Sequence, residues 1–237
     1  MIRVAAVGDI HVGTDSAGSL VEGFRHLEEQ ADLFLLAGDL TRRGEVAEAE
    51  VLANELAGVG VPVVAVLGNH DYHSGCEEDV VKILHAAGVT VLEGDSTVVP
   101  VGGQRVGVAG VKGFGGGFPG ACGSEFGEPE IKAFMAHSRE TAARLRTALE
   151  GLDTDARIAL THYAPVEETL RGERLEIYPF LGSYFLAEAI DGAGADLALH
   201  GHAHRGSEKG VTPGGVHVRN VAEPVLRQAY AVYCLGG

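Results

Sequence analysis

The sequence predicts an α/β protein whose strands run mostly parallel beneath covering helices. Two observations carry that expectation. Short apolar runs alternate with stretches whose apolar residues recur at helical spacing, the rhythm of βαβ units. The runs are continuously hydrophobic, as strands buried on both faces are. No linker-like shift in composition divides the chain, so residues 1–237 read as a single domain.

The elements follow in order. Residues 4–7 form a first buried strand, and a helix lies somewhere within 20–30. Residues 33–36 form the second strand. Residues 43–56 carry Val46, Ala49, Leu52, Ala53 and Leu56 at a helical period. A third strand spans 61–67, entered through Pro62. Val80, Val81 and Leu84 mark the next helix, and 89–92 another strand. The second half repeats the scheme more loosely. Residues 98–101 and 105–109 read as a hairpin through Gly102 and Gly103. Residues 129–149 form the longest helix, with Pro129 in its first turn. Residues 158–160, 197–199, 216–218 and 231–233 are further strands. Residues 110–127 are very rich in glycine, with Phe114, Phe118 and Phe126 interspersed. They read as a mobile loop with aromatic anchors or as a permissive surface loop.

Composition excludes several functions. Eighteen Lys and Arg against 33 Asp and Glu give a net charge of −15, a field that repels long nucleic acids. Phosphorylated small molecules stay open, because bound cations reverse the local sign. Three scattered cysteines make no disulfide framework and fit a reducing compartment. No apolar run approaches the ~20 residues of a membrane span, and no signal-peptide pattern opens the chain. A cytoplasmic protein with no membrane partner is the expectation; the oligomeric state stays open. Two counts stand out: 35 glycines and 11 histidines.

Those two residue types meet at strand ends. Asp9-Ile10-His11, Gly38-Asp39, Gly68-Asn69-His70-Asp71, Thr161-His162 and His200-Gly201-His202-Ala203-His204 each follow an apolar run. In a mostly parallel sheet the carboxyl ends of the strands open onto one crevice, so these groups converge there. Carboxylate, imidazole and amide without thiolate suit manganese, iron, zinc or cobalt. So many donors serve two metal ions more economically than one. Each cluster alone reads as a turn or a packed histidine; five in the same context do not.

The series resembles the calcineurin-like metallophosphoesterases, whose motifs are Asp-x-His, Gly-Asp, Gly-Asn-His-Asp/Glu, a histidine after a strand and Gly-His-x-His. The resemblance implies a four-layer αββα sandwich of two mixed sheets flanked by helices. It implies that Asp9, His11, Asp39 and His204 bind one metal ion, and Asp39, Asn69, His162 and His202 the other. Asp39 would bridge ions held ~3.5–4 Å apart, and a water acidified between them would be the nucleophile. His70 is not a ligand in the family; it would stabilise the transition state or protonate the leaving oxygen, or else serve as a structural histidine.

Departures within the family choose among substrates. Phosphoprotein phosphatases carry Gly-Asp-x-x-Asp-Arg-Gly, but here Arg42 replaces the second aspartate, the partner of the catalytic histidine. UDP-sugar hydrolases of the lipid A pathway usually have arginine where His70 stands. Residues 68–71 look most like class III cyclic-nucleotide phosphodiesterases and their bacterial relatives. Residues 176–183 resemble those relatives too; their Tyr178 and Phe180 are available to stack on a base or, more commonly, to pack. The implied activity is hydrolysis of a small phosphodiester, a cyclic nucleotide among them. The alternatives are a phosphomonoesterase or nucleotide phosphatase on the same centre, a nuclease, or a non-catalytic metal-binding scaffold. Arg43 and Lys112 are secondary candidates for binding phosphate. His26, His85 and His137 read as solvated or packed, His73 as a surface residue, and His217 as facing core or solvent.

Overall fold

The computed structural model describes residues 1–236. Two mixed sheets stack face to face, each covered outside by helices. The first contains β1 (Ile2–Val7), β2 (Leu33–Ala37), β3 (Val63–Val66), β4 (Val89–Leu92) and, antiparallel at its edge, β13 (Ala231–Leu235). Its order is β13-β1-β2-β3-β4. The second has a parallel centre of β6 (Gln104–Val111), β9 (Ala156–Thr161), β10 (Leu197–His200) and β12 (His217–Asn220). Antiparallel strands β5 (Asp95–Val101) and β11 (Lys209–Val211) close its two edges.

The continuous apolar runs are now explained by their period of two. Val4, Ala6, Leu33, Leu35, Ile158 and Leu160 point between the sheets into a common core. Their neighbours Ala5, Val7, Phe34 and Leu36 point outward. They pack under α1 (Val21–Phe24), α2 (Leu27–Gln30), α3 (Val46–Leu56) and α4 (Glu77–Ala86). On the opposite face Ala109, Ala159 and Ala198 pack under α5 (Pro129–Glu150) and α7 (Tyr184–Ala193). Small side chains there let the helices approach closely. The four layers expected from the resemblance are present.

Some boundaries differ from expectation. The helix within 20–30 is two single turns, because His26 between them adopts a non-helical φ of −120° and ψ of 28°. The helix expected from residue 43 starts at Val46, behind a capping box in which Glu45 and Glu48 satisfy each other's backbone N–H groups. Gly44 ahead of it has φ +71°, and a side chain there would strike the backbone of Asp71. Residues 110–127 are more structured than a loop. Residues 110 and 111 complete β6, and β7 (Gly117–Phe118) pairs with β8 (Ala121–Cys122). Phe118 is buried and Phe114 packs on Phe134 and Tyr163, but Phe126 is 89% exposed and anchors nothing. Helix α7, capped by Ser183, was not legible as a helix. Neither were β11, a short edge strand with glycine at its centre, and two single-turn helices, α6 (Tyr178–Leu181) and α8 (Glu223–Leu226).

Candidate metal centre

The loops following β1, β2 and β3 of one sheet and β9 and β10 of the other meet at one rim. They are stitched together through their backbones. Asp9 N–H donates to the Gly38 carbonyl at 2.9 Å, His11 N–H to that of Asp39 at 3.1 Å, and Gly201 N–H to that of His162 at 3.2 Å. The side chains complete the stitching. His70 N–H donates to Asp39 Oδ1 at 2.8 Å, and His202 N–H to Asp9 Oδ2 at 2.9 Å.

This convergence strains the chain. Among the described residues five non-glycines have positive φ, and four of them are Asp9, His11, Asp39 and His202. A left-handed aspartate or histidine is uncommon and persists where its surroundings over-determine it. Two glycines are explained by the same crowding. A Cβ on Gly68 would overlap the Asp39 carboxylate, and one on Gly201 the Asp9 carboxylate.

The donor atoms form two overlapping groups. Asp9, His11, Asp39 and His204 offer atoms within 4.8 Å of one another, and so do Asp39, His162 and His202. Asp39 belongs to both. Asn69 lies beside the second group, its Oδ1 3.0 Å from His162 Nε2. The structure thus brings all seven ligand candidates to one place. His70 stands at the edge, its ring centroid 4.6 Å from that of His11 and its Nε2 3.9 Å from Asp39 Oδ2.

Hydrogen bonds orient the imidazoles. His162 Nδ1 donates to the Ala37 carbonyl at 2.9 Å, which turns Nε2 toward Asp39 and Asn69. His202 Nε2 donates to the Phe180 carbonyl at 3.2 Å and leaves Nδ1 on the inner side. His70 Nδ1 donates to the Arg42 carbonyl at 2.8 Å. The main chain of Arg42 therefore occupies the role of the missing phosphatase aspartate, while its guanidinium turns away to Asp15 at 2.8 Å.

The electrostatics suit cations. Asp9 and Asp39 are 3% and 1% exposed, and two anions in one cavity need positive charge close by. Burial opposes a charge on His162, yet Asp39 outweighs it and lifts the imidazole to about 9. The hydrogen bond to Asp9 likewise raises His204. Burial opposes ionisation of Asp39 too, but His162 holds it well below the usual carboxylate range. Burial, with the charge of His162 beside it, pushes His202 down to about 3. A set of carboxylates, imidazoles and an amide fits divalent metal ions in a dinuclear site.

Of the secondary candidates, Arg43 is exposed and Lys112 is half-buried. Tyr178 packs, its hydroxyl donating to the Leu170 carbonyl, whereas Phe180 is 60% exposed. His26, His73, His85 and His217 are exposed; His137 packs on Phe114.

Sequence reasoning missed Asp71. Fully buried, its carboxylate accepts from Gly68 N–H, Leu40 N–H, Thr41 N–H and the Thr41 hydroxyl. It pins the Asp39 loop to the Asn69 loop; the only available signal was its place at the end of Gly-Asn-His-Asp. Asp71→Ala is expected to cost on the order of 3 kcal/mol, because it leaves buried N–H donors unpaired. Urea unfolding measures this, and a loss below about 1 kcal/mol would show the two loops to be held otherwise.

A model of the family described as calcineurin-like phosphoesterase matches residues 2–206. A symmetrical bis(5'-nucleosyl)-tetraphosphatase of Nitrosococcus oceani is 41% identical over 72 residues, 30% of this chain and 25% of that protein. An uncharacterized metallophosphoesterase of Aquifex aeolicus is 30% identical over 102 residues, 41% of this chain and 38% of its own. The chain thus matches well under half the length of either relative. Among solved structures, the phosphopantetheinyl hydrolase of Mycobacterium tuberculosis superposes with a TM-score of 0.69 at 17% identity, covering 98% of both chains. The protein TT1561 of Thermus thermophilus gives 0.57 at 17% identity, again covering 98% of both. At that identity the structural likeness speaks for the fold alone.

Proposed function

Because the chain belongs to the calcineurin-like phosphoesterase family, we propose that it hydrolyses a small phosphodiester at the Asp39 centre. Asp9, His11, Asp39 and His204 would hold one metal ion, and Asp39, Asn69, His162 and His202 the second. Metal ions held there would supply Lewis acidity toward the phosphoryl oxygens and would make water a stronger nucleophile. The chain's own residues do the rest. Ala37 and Phe180 present the imidazole nitrogens through their carbonyls. His70, with Nδ1 committed to Arg42, directs Nε2 to the cleft edge, where it can hand a proton to the leaving oxygen.

The observation that carries the diester reading is the partner of His70. That partner is the main-chain carbonyl of Arg42, where the phosphoprotein phosphatases have a carboxylate. The guanidinium of Arg42 is also taken by Asp15. A monoester dianion asks for more positive charge at phosphorus than a diester monoanion does, and Arg42 does not supply it. A second reading, a nucleotide phosphatase on the same centre, is favoured by the name of the Nitrosococcus relative. A non-catalytic scaffold accounts less well for the full donor set with His70 beside it. The net charge of −15 speaks against long nucleic acids. No described helix is long and apolar enough to cross a membrane.

Turnover of bis(p-nitrophenyl) phosphate, p-nitrophenyl phosphate and cyclic nucleotides, compared under one metal condition, tests this. Diester cleavage is expected to at least equal monoester cleavage. Strong monoester turnover with none on any diester would establish the phosphatase reading instead.

A further inference from the structure

A cavity of about 490 Å³ opens beside the metal centre. Asn69, Tyr72, Lys112, Phe114, Arg144 and Tyr163 line it. Two of these adjoin the centre directly: Asn69 lies against His162, and the Tyr163 ring centroid is 4.4 Å from that of His202. Cavity and centre are therefore adjacent compartments with Asn69 on the boundary.

Lys112 directly follows the second sheet's strand β6 and is fixed at its backbone. Its carbonyl accepts from His162 N–H at 2.9 Å and Tyr163 N–H at 3.0 Å, and its own N–H donates to Glu93 Oε2 at 3.1 Å. The ammonium sits over the rings of Tyr72, Phe114 and Tyr163, 5.0–5.4 Å from their centroids. Among the described residues no carboxylate forms an ion pair with it, and its one hydrogen bond is a long 3.4 Å contact with the Gly113 carbonyl. Glu93, the acid in the cavity wall, is engaged elsewhere. It accepts the Lys112 backbone N–H and faces Arg144 Nη1 at 3.7 Å, while Arg144 also donates to its main-chain oxygen.

The cavity wall thus carries one carboxylate, Glu93, and two cations, Lys112 and Arg144, with Asp39 of the centre also acting on Lys112, in a chain whose net charge is −15. A side chain needed only to fill the space between three rings would be apolar. The rigid anchoring, the ring walls and the uncommitted charge together describe an anion receptor.

We propose that this cavity receives a second anionic group of the substrate, a phosphate or carboxylate carried on one arm of the ester, with Lys112 as its principal contact and Arg144 beside it. This rests on the phosphoesterase reading and narrows it. Esters with a distal anion are preferred over those, such as simple cyclic nucleotides, whose only charge is at the reacting phosphorus.

The test is binding to the metal-loaded protein by titration calorimetry, alongside p-nitrophenyl phosphate and bis(p-nitrophenyl) phosphate turnover. The probes are alkyl monophosphates, alkanediol bisphosphates of increasing length, and ω-carboxyalkyl phosphates with their neutral amide counterparts. In the wild-type protein the best doubly anionic probe is expected to bind on the order of tenfold or more tighter than its singly anionic counterpart, as suits one partly buried charged contact. Whether bisphosphate or carboxyalkyl phosphate gains more tells which anion the cavity suits. Lys112→Met should reduce that ratio to within about twofold, and Lys112→Arg should restore part of it. No discrimination in the wild-type protein overturns the proposal without reliance on any variant folding. So does discrimination that survives in Lys112→Met. If discrimination is present but no phosphoester is turned over, the receptor stands and the hydrolase reading falls; turnover without discrimination means the reverse.

Discussion

Asp39→Asn is expected to lower bound metal from about two ions per chain to below one. It should reduce phosphoester turnover by at least about 10³-fold, the upper range for losing one preorganised electrostatic partner. The substitution keeps the shape and one oxygen but removes the charge shared by both donor groups. Asp39 also accepts the His70 N–H through Oδ1. Elemental analysis after loading with manganese or iron, with turnover on the same samples, measures both effects. Full occupancy together with full turnover in the variant would sink the bridging assignment.

His70→Ala separates catalysis from metal holding. His70 lies outside both donor groups and is held from behind by the Arg42 carbonyl. Metal content should therefore stay near two ions while turnover falls roughly 10²–10⁴-fold, the range for a positioned acid–base group. The loss should be larger for poor leaving groups than for nitrophenolates, which depart without a proton. Equal losses across leaving groups would end the general-acid role, although electrostatic stabilisation would survive. His202→Ala is the contrast, expected to lose one ion and the rate together. Should His70→Ala lose metal as fully, His70 belongs with the ligands or their supports.

Both substitutions concern residues legible in the sequence, and the reason is chemical. A metal centre admits few side-chain types, and strands that share a crevice present them at their carboxyl ends. The aspartate, asparagine and histidine clusters after five of the apolar runs were therefore readable without knowing which strands pair. Helix ends were less readable. The turn at His26 and the start of α3 depend on backbone conformation and on the Glu45–Glu48 capping box, which apolar periodicity does not report. Helix α7 escaped because its short, nearly continuous apolar run from Tyr184 to Ile190 is equally readable as a buried strand.

The sequence by itself determined the α/β class, which follows from the order of apolar runs and helical periods, and it set aspartate, asparagine and histidine side chains after five of those runs. Only the tertiary structure decided how those donors are aimed and what surrounds them. His70 is oriented by a backbone carbonyl of Arg42, an atom that every residue carries and no motif can flag. Asp71 works by accepting four donors from segments up to 31 positions away. Lys112 gains its character from Tyr72, Phe114 and Tyr163, which meet only when residues of several elements fold together. Residue identity states which atoms are available for chemistry; burial and long-range contact decide which of them are left uncommitted, and those depend on the whole fold.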